Sequence, residues 1–145
     1  MIVVLGADHA GYKLKNKIKE YLKTTPNISI VDLGTNSDES VDYPEYGKAA
    51  AKAVASGKAD RGIVVCGTGI GISIAANKVS KIRCALCTSK EMAEMSRRHN
   101  DANMLALGGR TTSEELAFEI VKTWLNTDFE GGRHEKRVKM LDEDC

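Results

Sequence analysis

The sequence predicts an α/β protein: a three-layer αβα sandwich around a five-stranded parallel sheet. Three observations carry this. Short apolar runs alternate with longer amphipathic ones, the pattern of stacked βα units. The short runs are rich in Ile, Val, Leu or Ala along their whole length, as in strands covered on both faces. Glycines and reactive polar residues collect just after the short runs, where open α/β sheets bind their ligands.

The first strand is placed at residues 2–5. A helix follows over 12–22, where Leu14, Ile18 and Leu22 recur at four-residue steps with lysines on the other face. The second strand is placed at 28–32. Pro44 suits the first turn of a helix that runs through Ala55, and Gly57 suits its end. The third strand covers 62–66 and is followed by a short apolar helix over 70–77. The fourth strand covers 82–86, and Ser89 is the expected N-cap of a helix reaching 99. The fifth covers 104–107. Ser113 then opens a helix to 125 that carries Leu116, Ile120 and Val121. A last basic helix runs from about 132 to 141. Right-handed crossovers place helices on both faces, a Rossmann-like arrangement. The expectation is one domain over residues 1–145; strand order is not legible at this level.

Composition excludes several function classes. A chain of 145 residues is long enough to bury a core. Its formal net charge is +1 and its charges are mixed, which argues against a nucleic-acid partner. No run approaches the ~18 apolar residues of a membrane span. The opening Met-Ile-Val-Val-Leu lacks the basic start of a secretory signal and is read as the first strand, so a cytoplasmic location is expected. The cysteines are Cys66, Cys84, Cys87 and Cys145. Cys84 and Cys87 form a C-x-x-C, but they fall inside a strand and no further ligand pair accompanies them. They are read as small apolar residues in a reducing compartment.

The sharpest signal is Cys66-Gly67-Thr68-Gly69-Ile70-Gly71 after the third strand. Alternating glycines before a helix expose backbone N–H groups that favour an anion. A dinucleotide fingerprint would need glycine at 72, which is Ile72, and no Lys-Ser or Lys-Thr follows for a Walker loop. Cys66, at the strand end, is a candidate nucleophile or general base. Asp8 and His9 place a carboxylate and an imidazole after the first strand. His99-Asn100-Asp101 offers a further acid/base candidate. Arg133 and Arg137, four apart, share a helix face and suit a phosphate; the competing reading is a solvated basic helix paired with Asp142, Glu143 and Asp144.

Together these stretches resemble the type B ribose-5-phosphate isomerases, the family that also holds allose- and galactose-6-phosphate isomerases. The stretches are GADHAG near the start, DYPEY at 42–46, CGTGIGISIAANK at 66–78, SRRHNDANMLALGGR at 96–110 and EGGRHEKRV at 130–138. The resemblance implies interconversion of D-ribose 5-phosphate and D-ribulose 5-phosphate, with a sugar phosphate as the only partner besides a second subunit. It implies that Cys66 is the general base and that the N–H groups of Gly67, Gly69 and Gly71 line an anion hole. It further implies that Thr68 and His99 assist ring opening, that Asp8 contacts sugar hydroxyls, and that His9, Arg133 and Arg137 hold the phosphate. Tyr43, Asn100 and Arg110 would line the pocket. A homodimer is implied, with a tetramer left open, in which His99, Asn100, Arg110, Arg133 and Arg137 reach the site of the other subunit. No cofactor and no metal are expected. Two alternatives stand beside this reading: a six-carbon substrate such as allose 6-phosphate, and a non-catalytic phosphate- or nucleotide-binding module.

Overall fold

The structure, a computed structural model, describes residues 1–143; Asp144 and Cys145 lie outside the described residues. Strand β1 (Ile2–Ala7) leads through helix α1 (Tyr12–Lys23) to β2 (Ser29–Asp32), and α2 (Tyr43–Ala55) leads to β3 (Arg61–Cys66). The short α3 (Ile70–Asn77) precedes β4 (Cys84–Leu86), α4 (Lys90–Arg98) precedes β5 (Met104–Gly108), and α5 (Glu114–Asn126) and α6 (Arg133–Asp142) close the chain. All strand pairs are parallel, in the order β2-β1-β3-β5-β4. The carboxyl ends of β1, β3 and β5, the three central strands, therefore lie side by side.

Helices cover both faces, as the continuous apolar runs require. Helices α1, α4 and α5 bury Leu14, Ile18, Leu22, Ala93, Ile120 and Trp124 against one face. Helices α2 and α3 bury Ala50, Ala51, Ile72 and Ala76 against the other. Fully buried aliphatic side chains such as Ile18, Leu22, Ile63 and Ile120 each contribute about 1.5–3 kcal/mol. Both predicted serine caps are present. Ser89 Oγ accepts from Met92 N–H at 3.1 Å and Ser113 Oγ from Leu116 N–H at 3.2 Å.

Strand boundaries differ by more than one residue in two places. β1 runs two residues further than expected, to Ala7, because the 33–36 loop extends its pairing: Ala7 N–H donates to the Gly34 carbonyl and Thr35 N–H to the Ala7 carbonyl. β4 is shorter than expected. Ile82 N–H turns back to the Val79 carbonyl, and Arg83 N–H goes to Asn103 Oδ1, so neither joins the ladder from its amide.

The C-x-x-C cannot close on itself. Cys84 packs into the α2/α3 side of the sheet and Cys87 into the α1/α5 side, as an odd spacing along a strand dictates. Burial drives the Cys84 thiol far up, with Cys87 adding to it, and pushes Cys87 up to about 11. Both thiols stay protonated and inert. Mass spectrometry after mild oxidation of the native protein should find no Cys84–Cys87 link; finding one would contradict this placement.

One buried charge network fixes the loop after β2. Lys15 is fully buried, and its Nζ donates to both Asp32 carboxylate oxygens at 2.9 Å and to Asn36 Oδ1 at 2.5 Å. Lys19 and the Gly34 amide also donate to Asp32. Burial alone would raise the Asp32 carboxyl; the bonds from Lys15, Gly34 and Lys19 outweigh it and hold that carboxyl below its ordinary value. A carboxylate depressed in the folded state adds stability that is complete above its unfolded pKa, about 3.9. That stability is lost as pH falls through the lower folded value. Lys15→Met should cost about 1–3 kcal/mol at pH 7, limited because Lys19 and the amide remain on Asp32. Urea denaturation reads this, and the gap to wild type should narrow in acid. An unchanged midpoint at pH 7 contradicts it.

Candidate active site

Three loops meet at the carboxyl ends of β1, β3 and β5. The β1 loop lies directly on β3: Asp8 N–H donates to the Val65 carbonyl at 3.2 Å. The approach is so close that a Cβ at Gly11 would stand 2.2 Å from the Val65 carbonyl oxygen, so only glycine fits there. The β5 turn closes the other side. Gly109 N–H donates to the Cys66 carbonyl at 2.7 Å and Arg110 N–H to the Gly67 carbonyl at 2.9 Å.

Cys66 stands at the centre of this junction, 5% exposed, with its thiol free. Its Sγ accepts the Gly69 N–H at 3.2 Å. That contact needs Gly69 at φ +81°, the left-handed conformation that turns the loop into α3. Thr68 is exposed, and its Oγ1 accepts the Ile70 N–H at 3.2 Å. Two loop amides are thus committed to local acceptors. The first-turn N–H groups of α3, Gly71 among them, lack intrahelical carbonyls and face outward as donors. The Tyr43 ring lies over Gly71, where a Cβ would meet its ring carbons at 2.7 Å.

Asp8 is buried and its orientation is fixed: Oδ1 accepts the N–H groups of Ala10 and Gly11 at 2.9 and 3.0 Å. The second carboxylate oxygen carries the remaining acceptor capacity. His9 Nδ1 accepts the Val41 N–H at 3.1 Å, which leaves Nε2 to carry the ring proton as a donor. Lys15 holds the loop that supplies Val41, so the buried network positions His9 at one remove.

Arg110 departs from expectation. The resemblance sends its side chain to another subunit's site; the structure sets it in its own. A Cβ at Gly67 would meet Arg110 Nη1 at 3.5 Å, and Ala10 Cβ at 3.7 Å. Its backbone bond to Gly67 leaves it within reach of the Cys66 loop.

The remaining predicted residues lie elsewhere. His99 caps α4 and Asn100 follows it, before β5 begins, so both sit at the amino edge of the sheet. Arg83, just before β4, donates to the Asn100 and Asp101 carbonyls, and Gly62 N–H, at the start of β3, donates to the Asn103 carbonyl. Helix α6 lies at this same edge. His134 stacks on His99 with centroids 4.3 Å apart, and Asp142 pairs with Arg83 at 2.8 Å. Asp142 is therefore engaged by Arg83, and Arg133 and Arg137 project from an exposed face. β3 separates this group from Cys66, and at about 3.3 Å per residue the positions of Gly62 and Cys66 stand about 13 Å apart. The structure thus divides the predicted site into a carboxyl-end group of Asp8, His9, Tyr43, Cys66, Gly67, Thr68, Gly69, Gly71 and Arg110, and an amino-end group of His99, Asn100, Arg133 and Arg137.

Comparison with known proteins matches this arrangement to a family. Residues 3–141 fit the profile described as Ribose/Galactose Isomerase. The chain belongs to that family. It is 47% identical over 139 residues to ribose-5-phosphate isomerase B of Escherichia coli K12, covering 96% of this chain and 93% of the relative. It is 46% identical to a putative sugar phosphate isomerase of Bacillus subtilis, over 99% of this chain and 96% of the relative. Among solved structures, ribose-5-phosphate isomerase B of Clostridium thermocellum superposes with a TM-score of 0.96 at 55% identity, covering 99% of this chain and 96% of that one. The enzyme of Mycoplasma genitalium with bound ribulose-5-phosphate superposes with a TM-score of 0.92 at 38% identity, covering 97% and 93%. No helix among the described residues is long and apolar enough to cross a membrane.

Sequence reasoning overlooked two residues beside His99. His134 is buried, and its Nε2 lies 3.8 Å from Glu130 Oε1. The signal was present in the Glu130-Gly-Gly-Arg-His run, but nothing local shows that this run folds against residue 99.

Proposed function

We propose that this chain is a cofactor-independent aldose–ketose isomerase that interconverts D-ribose 5-phosphate and D-ribulose 5-phosphate, acting as a single domain in the cytoplasm. The observation that carries the reading is a buried free thiol, Cys66, set between a fixed carboxylate and a glycine loop at the switch point of a parallel sheet. Family membership supports it.

In this reading Asp8 holds sugar hydroxyls through its free oxygen, and Thr68 and His99 assist opening of the ring. Cys66 takes the proton from C2 of the open-chain aldose, and the electron pair moves into an enediolate. The outward amides of the Gly67–Gly71 loop stabilise its oxyanion. The Cys66 proton exchanges in part with solvent before it is delivered to C1, while the hydroxyl proton moves from O2 to O1, giving the ketose. A positioned base contributes about 10²–10⁴-fold to such a step. The phosphate, remote from the chemistry, anchors the substrate so that this geometry is reached.

The separation of the two residue groups supports a homodimer. Within one chain the strand length keeps His99, Asn100, Arg133 and Arg137 from Cys66. A second copy can bring its amino-edge group over the first copy's carboxyl-end loops, completing a site from His9 and Arg110 of one chain and the two helix arginines of the other. An apolar surface suited to such contact adjoins the loop: Ile70 and Ile74, four apart on α3, are each 54% exposed.

The test is formation of ribulose 5-phosphate by purified protein in EDTA, with allose 6-phosphate run in parallel and solvent deuterium present. Turnover of the pentose with deuterium entering the product is expected. Preference for the hexose would move the substrate assignment to six carbons. Binding without deuterium exchange would reduce the chain to a phosphate-binding module.

A further inference from the structure

At the amino edge, one nitrogen each from His99 and His134 and a carboxylate oxygen of Glu130 lie within 4.8 Å of one another. We propose that these three side chains form a binding site for one divalent transition-metal ion of the zinc class, and that occupation of this site withdraws His99 from the sugar.

The first support is donor chemistry. Two imidazoles and one carboxylate make a borderline donor set that suits zinc, cobalt or nickel and is poor for magnesium or calcium, which prefer oxygen. Three protein ligands leave a fourth position open to water.

The second support is independent of the spacing. His134 Nε2 is buried and has no hydrogen-bond partner among the described residues. A buried ring nitrogen without a partner carries an uncompensated desolvation cost. It faces Glu130, at 3.8 Å, beyond hydrogen-bond range. A metal ion between them would satisfy both.

The third is feasibility of closure. Zinc bonds of about 2.0–2.1 Å set tetrahedral ligand atoms roughly 3.4 Å apart, so the cluster must tighten by about an ångström, and the His99 ring must turn out of its stack on His134 so that the two ring lone pairs converge on the ion. The partners that must move have room to do so: His99 is half-buried and Glu130 is exposed, while His134 is buried. The Glu130 backbone is already tied to α4, donating its N–H to the Arg98 carbonyl at 3.1 Å. Arg133 and Arg137 oppose a cation here and weaken the site.

Occupation would have a consequence that rests on the isomerase reading. His99, held by the ion, could not serve the sugar, so zinc would inhibit and a chelator would restore activity.

The test uses the full chain and cobalt(II) as a spectroscopic probe. Wild type should develop visible ligand-field bands at one ion per chain, displaced by zinc, without the near-ultraviolet band of a cobalt–thiolate bond. His134→Ala and Glu130→Gln should each weaken cobalt binding about tenfold or more. Circular dichroism of both variants confirms that they are folded. Absence of bands up to millimolar cobalt, a thiolate band, or bands untouched by either replacement overturns the site. In the activity arm, Glu130→Gln should keep its metal-free turnover and lose inhibition by zinc. Cobalt bands with no inhibition of wild type would overturn the withdrawal of His99 alone. Inactivity of every protein in EDTA would instead strike the isomerase reading and leave the metal readout standing.

Discussion

Cys66→Ala should fold normally and lose about 10²–10⁴-fold in kcat, the share of a positioned general base. The side chain is small, nearly buried and bonded only through the Gly69 amide, so its truncation leaves a modest void and no orphaned charge. KM should move little, because the phosphate and hydroxyl contacts belong to other residues. Deuterium exchange at C2 should fall in step with turnover, as loss of the base requires. Wild-type turnover by this variant would remove the thiol from the mechanism.

Gly69→Ala should be nearly as damaging by a different route. The left-handed backbone at Gly69 costs a non-glycine residue about 1–2 kcal/mol. The new Cβ would also meet Leu86 Cδ1 at 2.6 Å and the Leu107 carbonyl carbon at 2.8 Å. The Leu107 backbone belongs to a central strand and cannot yield, so the loop must move and carry its amides with it. Misplacing such donors costs about 10²–10³-fold in kcat. Gly57 provides the control. It has the same φ of +81° but nothing within 4 Å of its would-be Cβ. Gly57→Ala should lower the melting temperature and leave kcat unchanged. Equal kinetic effects from the two replacements would contradict the assigned role of the loop.

The fold was largely legible because its signals are local. Apolar runs without alternation mark strands covered on both faces, and Ser89 and Ser113 mark helix starts by a mechanism that the structure reproduces. Strand order is not local. Nothing in the β4 or β5 segments says that β5 inserts between β3 and β4. The start of β4 was misjudged because Arg83 gives its amide to a side chain, Asn103, 20 residues away.

The carboxyl-end half of the candidate site was legible for the same reason: Asp8 and His9 follow β1, Cys66 ends β3 and Arg110 follows β5. The other half contained a clue in chain direction. His99 and Asn100 follow a helix and precede a strand, which places them at the opposite edge before any contact is known. The stacking of His134 on His99, and its approach to Glu130, depend on where α6 docks, and no periodicity reports that. Arg110 shows the reverse case: it follows β5, and its guanidinium lies beside its own chain's Gly67, where family resemblance pointed across to another subunit.

We propose that one working site needs the Cys66 edge of one chain and the His99 edge of another. Mixing Cys66→Ala and His99→Asn proteins, each inactive alone, tests it directly. After subunit exchange, half the dimers are hybrids and each hybrid holds one intact site, so roughly a quarter of wild-type activity should return. No recovery despite demonstrated exchange would place the whole site within a single chain and contradict the account.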